Sequence, residues 1–485
     1  MEKTETNNNT GKVKTLLKDT AIFALGSIGS KVIMFFLVPF YTFYLSTAEW
    51  GVSDLVYSAA QVAIPIVSIV IFDSVIRFGI FYKNRPQDVL LVGIVVWIIG
   101  SAAVIPLSLL LNFYNTLKPW IIYVDLYVIL SILLSILMCF IKAVSKNLVY
   151  AVVSIVQTLI YALSNILFIA VFKAGIEGYL ISSLISQLIA VIITLFWAKI
   201  FSYLKSAKWD KAIAKEMIKY SVPCIANNLS RWAIQSSDKF MIERMINESD
   251  LGLYTAASRI PSIISVFVTV FQSAFGISSS REMDTTRDTS YFKKIFEVFS
   301  VAVTFAALAL TIIIKPFMMV YTPGKGYEGA WQLVPLLLLS AVFSAYSGYF
   351  GALYGAIKKT VNNMLSTFVA AITNVIANFV CIYFFGVYGA VMGTAISYIV
   401  LGIYRMVDVN RYMKIDYNIP KLVVNSVVFA TATIFSTLDF LKYIVPSICM
   451  IIMIIYNFKE LKEIITTIFK FLAGLLKRKK KAKVE

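Results

Sequence analysis

Residues 64–81 read IPIVSIVIFDSVIRFGIF, an apolar run of bilayer-spanning length with two charges, Asp73 and Arg77, stranded inside it. A helix crossing the roughly 30 Å hydrocarbon core needs about 20 mostly apolar residues. A charge at that depth costs several kcal/mol even on lenient scales, so it faces a wet cavity or a partner. The pattern recurs outward from this stretch: Lys31 lies between Leu25 and Phe36, and Arg231 between Val222 and Met241. A chain with several such charges moves or holds something polar within a membrane.

The composition agrees. Of 485 residues, 59% are hydrophobic and only 14% charged, with a mean hydropathy of +0.81. Soluble domains are about half apolar and a quarter charged, so this is an integral membrane protein without an appended soluble domain. The net charge of +18 does not point to nucleic acid, because the basic residues sit between apolar segments rather than on one patch. With no histidine in the chain, a histidine metal site, a histidine proton relay and a Ser-His-Asp triad are all excluded. Cys139, Cys224, Cys381 and Cys449 lack metal-ligand spacing and read as small buried hydrophobes. No Gly-rich phosphate loop ending in Lys-Ser/Thr is present, which argues against ATP hydrolysis. Neither cofactor nor metal is expected.

Apolar runs ended by charges, Gly or Pro predict an all-α polytopic protein of about fourteen helices. They fall near 20–45, 52–81, 89–113, 120–142, 148–172, 177–198, 219–243, 252–280, 296–320, 330–356, 361–385, 387–407, 421–439 and 442–457. The first exceeds signal-peptide length and lacks a small-residue cleavage pattern, so it reads as a retained helix. Alternate loops are basic: Lys83 with Arg85, Lys142 with Lys146, Lys199 to Lys219, Arg281 to Lys294, Lys358 with Lys359, and Arg411 to Lys421. The intervening loops are short and neutral or acidic, so both termini are expected in the cytoplasm. Residues 458–476 alternate charged and apolar residues at helical spacing ahead of Lys477 to Lys481, the pattern of an amphipathic helix on the cytoplasmic leaflet.

The chain also repeats itself with a period near two hundred residues. Glu49-Trp50-Gly51-Val52 corresponds to Asp250-Leu251-Gly252-Leu253, and Gly175-Ile176-Glu177-Gly178 to Gly386-Val387-Tyr388-Gly389. Six helices per half preserve orientation, so the repeat is parallel, and parallel repeats commonly form two bundles around a central cavity. The expected organisation is a cytoplasmic tail (1–18), a first bundle (19–198), a basic linker (199–218), a second bundle (219–407), two extra helices (421–457) and a basic amphipathic tail (458–485). Lys31 and Arg231 each lie about eleven residues into equivalent helices, roughly 16 Å deep at 1.5 Å per residue. They could face each other across one cavity, although the gapless alignment misses by one residue, about 100° of rotation. Asp73 and Arg77 form an i, i+4 pair, while Arg259 enters the eighth helix from outside. Arg405, near a membrane end, reads as ordinary anchoring. Cations in excess at depth suit an anionic cargo, since Arg and Lys complement phosphate oxygens. Asp73 and Asp238 are the candidates for proton or sodium coupling.

Tyr44-Leu45-Ser46, Glu49-Trp50-Gly51, Pro65 and the Asp73 to Arg77-Phe78 stretch resemble the bacterial polysaccharide-repeat flippases. These are the Wzx-type O-antigen and capsule transporters of the multidrug/oligosaccharidyl-lipid/polysaccharide exporter superfamily. Gly386-Val387-Tyr388-Gly389-Ala390 with Gly393-Thr394 is similar to a second stretch of that family. The resemblance implies two six-helix bundles, in some branches with two extra helices, around a cationic cavity. It implies a non-enzymatic flippase of the cytoplasmic membrane that turns an undecaprenyl-pyrophosphate-linked oligosaccharide to the outer leaflet by alternating access, driven by Na+ or H+. Membrane lipids and a polysaccharide polymerase are the implied partners. The pyrophosphate would engage Lys31 and Arg231, with Arg77 and Arg259 as further cations. The lipid II flippase branch stays open, though the first helix carries only Lys31 where that branch is arginine-rich. A multidrug or metabolite exporter would want an acid-lined cavity. A membrane glycosyltransferase or polymerase would want a sizeable external loop.

Overall fold

The computed structural model describes residues 29–285, 287–438 and 441–466. Among these residues the chain is all-helical, as expected. The described residues form two compact units, one running to Ala256 and including Thr322–Tyr327, the other comprising Ala257–Tyr321 and the chain from Glu328 onward.

The first unit holds α1 (Gly29–Tyr44) and α2 (Thr47–Val67), α3 (Ile71–Phe81), α4 (Pro86–Ser108), α5 (Ile121–Ala143), α6 (Asn147–Asn165), α7 (Gly175–Trp197), α8 (Ile200–Ser206), α9 (Lys211–Met245) and α10 (Glu248–Ser258, through Ala256). The flagged Ser46–Glu49 stretch is a capping box. The backbone N–H of Ser46 donates to the Glu49 carboxylate at 2.9 Å, and that of Glu49 to the Ser46 hydroxyl at 3.3 Å, satisfying donors that a bare helix start leaves open. The helix expected over 52–81 is in fact two. Ile69 (φ 46°) and Val70 (φ 56°) are both left-handed, a conformation that costs a β-branched residue roughly 1–2 kcal/mol. Ser68 holds the break, its hydroxyl donating to the Ile64 carbonyl at 2.6 Å and accepting from the Val70 N–H at 3.1 Å. The eighth helix, expected over 252–280, likewise stops at Ser258 and resumes at Pro261, whose ring disfavours helical backbone just before it.

The second unit holds α11 (Pro261–Thr285), α12 (Thr289–Tyr321), α13 (Val334–Ala356), α14 (Thr360–Phe385), α15 (Val387–Met413), α16 (Ile419–Ser436) and α17 (Ile444–Tyr456), then α18 (Phe458–Thr466). The α14–α15 hairpin turns at Gly386 (φ 58°), and its first-half counterpart Gly175 also has positive φ (50°), so the two repeats share a turn that favours glycine. Arg405 corrects the anchoring expectation: it is buried, at 8% exposure. Its guanidinium donates to the Ser366 hydroxyl at 3.0 Å, the Ser347 carbonyl at 2.9 Å and the Thr367 hydroxyl at 2.9 Å, tying α15 to α13 and α14. Asn425 and Asn457 exchange reciprocal amide hydrogen bonds of 3.1 and 2.8 Å between α16 and the end of α17. Beyond Asn457 the chain bends by 81° into α18, the described part of the amphipathic segment. The rest of that segment and the 1–18 tail lie outside the described residues.

Eleven described helices are long and apolar enough to cross a membrane, or twelve if α17–α18 counts as one broken span. The polar α9 and the described part of α1 do not qualify, so fourteen is an approximate count. The expected bundles divide the chain by sequence similarity; packing groups it differently, because α9 lies against α2 and α3.

Candidate functional site

The polar interior of the first unit is built where α9 runs antiparallel to α2 and α3. Lys239 of α9 lies opposite Asp54 of α2, and further along Ser221 of α9 lies opposite Ser74 of α3, their hydroxyls 2.7 Å apart. The Ser74 hydroxyl also donates to the Met217 carbonyl at 2.8 Å. These small contacts let the two helices approach closely.

The Lys239 ammonium is 2.7 Å from the Asp54 carboxylate, with the two side chains only 15% and 6% exposed. Lys239 donates as well to the Ser58 hydroxyl at 3.2 Å, and the Thr255 hydroxyl donates to Asp54 at 3.3 Å. The neighbouring Asp238 is buried. It accepts from the Tyr254 hydroxyl and from the Lys239 backbone N–H at 2.9 Å, and it feels the charges of Lys239 and Asp54. Two carboxylates and one ammonium thus share a buried network across α2, α9 and α10. Such a network is tolerated at depth because Lys239 and Asp54 are paired and Asp238 is hydrogen-bonded.

A glycine crossing permits it. A Cβ on Gly252 would fall 1.9 Å from the Thr47 carbonyl oxygen, and one on Gly51 2.5 Å from that of Glu248. Gly51 and Gly252 are counterparts in the repeat, and so are Asp54 and Thr255, separated by the same 201 residues. Repeat-related positions therefore touch each other directly, which explains why Glu49-Trp50-Gly51 recurs as Asp250-Leu251-Gly252.

The six expected residues separate into distinct settings. Arg231 is exposed and within electrostatic reach of Asp73, so the structure brings that cation and that acid together. Arg77 does not pair with Asp73; its guanidinium sits 4.3 Å over the Tyr220 ring, a cation–π contact that holds α3 on α9. Lys31 is an exposed residue of α1 and makes no ion pair among the described residues. Asp238 belongs to the buried network. Arg259 belongs to the second unit, half-buried at the α10–α11 break and within reach of Tyr321. Asp54 is the functional-looking residue that sequence reading missed, and its signal was the helical spacing Trp50, Asp54, Ser58. Among the described residues no group of three or more Cys, Asp or Glu could hold a metal ion, and Cys139, Cys224, Cys381 and Cys449 are unbridged.

Over 90% of this chain and 99% of the other, the fold is similar at 13% identity to a lipid II flippase, MurJ, in an inward closed conformation, with a TM-score of 0.68. An inward-facing multidrug resistance MATE family transporter of the MOP superfamily matches over 81% of this chain and 94% of its own, at 13% identity and a TM-score of 0.65. A MOP superfamily transporter from Pyrococcus furiosus, described as having a binding pocket of reverse polarity, matches over 83% and 96%, at 13% identity and a TM-score of 0.57. No curated protein matches the sequence. Residues 16–275, more than half of the chain, match the family described as polysaccharide biosynthesis protein. The chain belongs to that family, and its polytopic all-helical fold is similar to those of the flippase and transporter structures.

Proposed function

We propose that this chain flips an undecaprenyl-pyrophosphate-linked oligosaccharide from the inner to the outer leaflet of a bacterial cytoplasmic membrane, for surface polysaccharides such as O-antigen or capsule. The observation that carries the reading is Arg231, a cation twenty residues into α9, exposed and without an ion pair among the described residues, with Asp73 within its electrostatic reach. A guanidinium there offers a planar pair of donors to phosphate oxygens, and Lys31 adds a second exposed cation at similar expected depth. Arg77 and Arg259 are the further cations of the proposed chamber, and the glycan would fill its wet part while the lipid tail stays among the acyl chains. The domain division by repeat, 19–198 and 219–407, supplies the two lobes that would rock around it. Asp238, buried beside Asp54 and Lys239, supports coupling to Na+ or H+, with Asp73 the second candidate. A polysaccharide polymerase is the expected downstream partner.

The multidrug reading would need carboxylates free to meet a cationic drug. Asp54 is neutralised by Lys239, Asp238 is engaged by Tyr254 and Asp73 faces the charge of Arg231, which favours the anionic cargo.

Lys31→Glu and Arg231→Glu should each abolish surface polysaccharide in a strain lacking the native gene, with the protein still present in the membrane at normal amount. Normal polysaccharide from both variants at normal expression would refute the cationic chamber.

A further inference from the structure

At the end of α9 remote from Asp54, a groove of about 480 Å³ is lined by Trp209, Lys211, Ala214, Lys215, Ile218 and Lys219. The three lysines are spaced i, i+4, i+8, so they form one stripe about 12 Å long at 1.5 Å per residue. All three are exposed, and none makes an ion pair among the described residues. The acids beside them are committed elsewhere. Asp210 accepts from the Ala212 N–H at 2.9 Å and faces Arg85 at 3.2 Å, while Glu216 accepts from the Tyr82 hydroxyl at 2.8 Å. The stripe therefore keeps its positive charge uncompensated.

Its place follows from the packing. α9 has 35 residues, roughly 50 Å of helix against a hydrocarbon core of about 30 Å, so its first turns extend past the acyl chains. They lie beside Tyr82 and Arg85, in a loop that the alternation of basic loops assigns to the cytoplasm. Trp209 and Ile218 supply the apolar flank that an interfacial site needs, tryptophan being the side chain that favours the headgroup level.

We propose that Lys211, Lys215 and Lys219, with Trp209, seat the phosphate of an anionic phospholipid of the cytoplasmic leaflet, at a site separate from the mid-membrane cations. Two lysines one turn apart bracket a single phosphate, the third meets a neighbouring headgroup, and the glycerol backbone lies against Trp209 and Ile218. Charge complementarity selects this occupant: a zwitterionic lipid brings its own cation and gains little from the stripe.

The test is native mass spectrometry of the full-length protein in mild detergent, titrated with phosphatidylglycerol or phosphatidylcholine. The K211Q/K215Q/K219Q variant should retain phosphatidylglycerol on the order of 100-fold more weakly, from the attraction usual for three lysines near anionic lipid. Phosphatidylcholine retention should not change, and K211R/K215R/K219R should restore binding. The proposal fails if phosphatidylglycerol binds the glutamine variant as the parent, if phosphatidylcholine binds equally well, or if a lipid-linked pyrophosphate displaces phosphatidylglycerol one for one. Arg231→Gln separates this claim from the proposed transport: it should abolish export and leave phosphatidylglycerol retention intact. Loss of retention in that variant would place the lipid at the mid-membrane cation instead.

Discussion

Asp54 is the residue whose single replacement should cost most. Its carboxylate is buried against Lys239 at 2.7 Å, and removing one member of a buried pair leaves the other charge unpaired in a low-dielectric interior. Such half-pairs typically cost about 3–5 kcal/mol, whereas replacing both members by apolar groups of similar volume is often close to neutral. Asp54→Asn should therefore lower the thermal midpoint in detergent markedly, and Asp54→Leu with Lys239→Met should recover most of the loss once Asp238→Asn removes the carboxylate that Lys239 also faces. An unchanged midpoint for Asp54→Asn would mean the pair contributes nothing to the fold. The same contrast should hold for Arg405. Arg405→Ala strands the Ser347 carbonyl and two hydroxyls and should cost more than Arg405→Lys, which keeps one donor, as read by thermal midpoints of both variants. What sequence made legible at this scale was depth. Lys31 and Arg77 stand out because each interrupts an apolar run, and Arg231 and Asp238 because each lies inside a segment of spanning length. What it hid was partnership: the groups around Arg405 come from α13 and α14, and those around Lys239 from α2 and α10, so no linear spacing reveals them.

The elements themselves were mostly legible, because apolar length sets a membrane helix and charges, Gly and Pro end it. Their breaks were not. Nothing at Ile69 or Val70 has turn chemistry, and two β-branched residues in left-handed backbone are the last that propensity would choose; packing and the Ser68 hydrogen bonds hold them there. The α10–α11 break did carry a signal, Pro261, which the long apolar run on either side obscured. The crossing of α2 and α10 gives the sharpest element-scale prediction. A methyl group at Gly252 would sit 1.9 Å from a carbonyl oxygen, while one at Gly276 meets no heavy atom within 4 Å. A clash with backbone cannot be relieved by a rotamer change, so the helices must separate and the Asp54–Thr255 contact with them. Gly252→Ala should lower the thermal midpoint and impair export. Gly276→Ala, in a helix interior where alanine is favoured by about 1 kcal/mol, should be neutral or stabilising. Equal behaviour of the two would mean that the crossing is not a fixed contact.

At the scale of the whole molecule, the breaks raise a question of topology that reporter fusions can answer. If α2 and α3 formed a re-entrant hairpin, the chain would return to the side it left and every later helix would be inverted. The charges argue for one crossing instead. The turn at Leu45–Ser46 is neutral, the loop after α3 carries Lys83 and Arg85, and α4 then leads to a connection at 114–119 whose one charge is Lys118. Basic residues in short loops are retained on the cytoplasmic side, so the order is outside, inside, outside. α9 supports the same path, since it accompanies both α2 and α3 along 35 residues, with Lys239 level with Asp54 and Met217 level with Ser74. A partner running alongside both segments in one direction is incompatible with a hairpin between them. Alkaline phosphatase fused after Ser46 or Asn115 should therefore be active, and fused after Asn84 or Lys208 inactive, while a fluorescent protein at the C-terminus should fluoresce. Activity after Asn84 together with activity after Ser46 would make α2–α3 re-entrant. A full reversal of the pattern would turn the lysine groove and both termini to the outside, and the direction of transport proposed for this chain would have to be reversed with them.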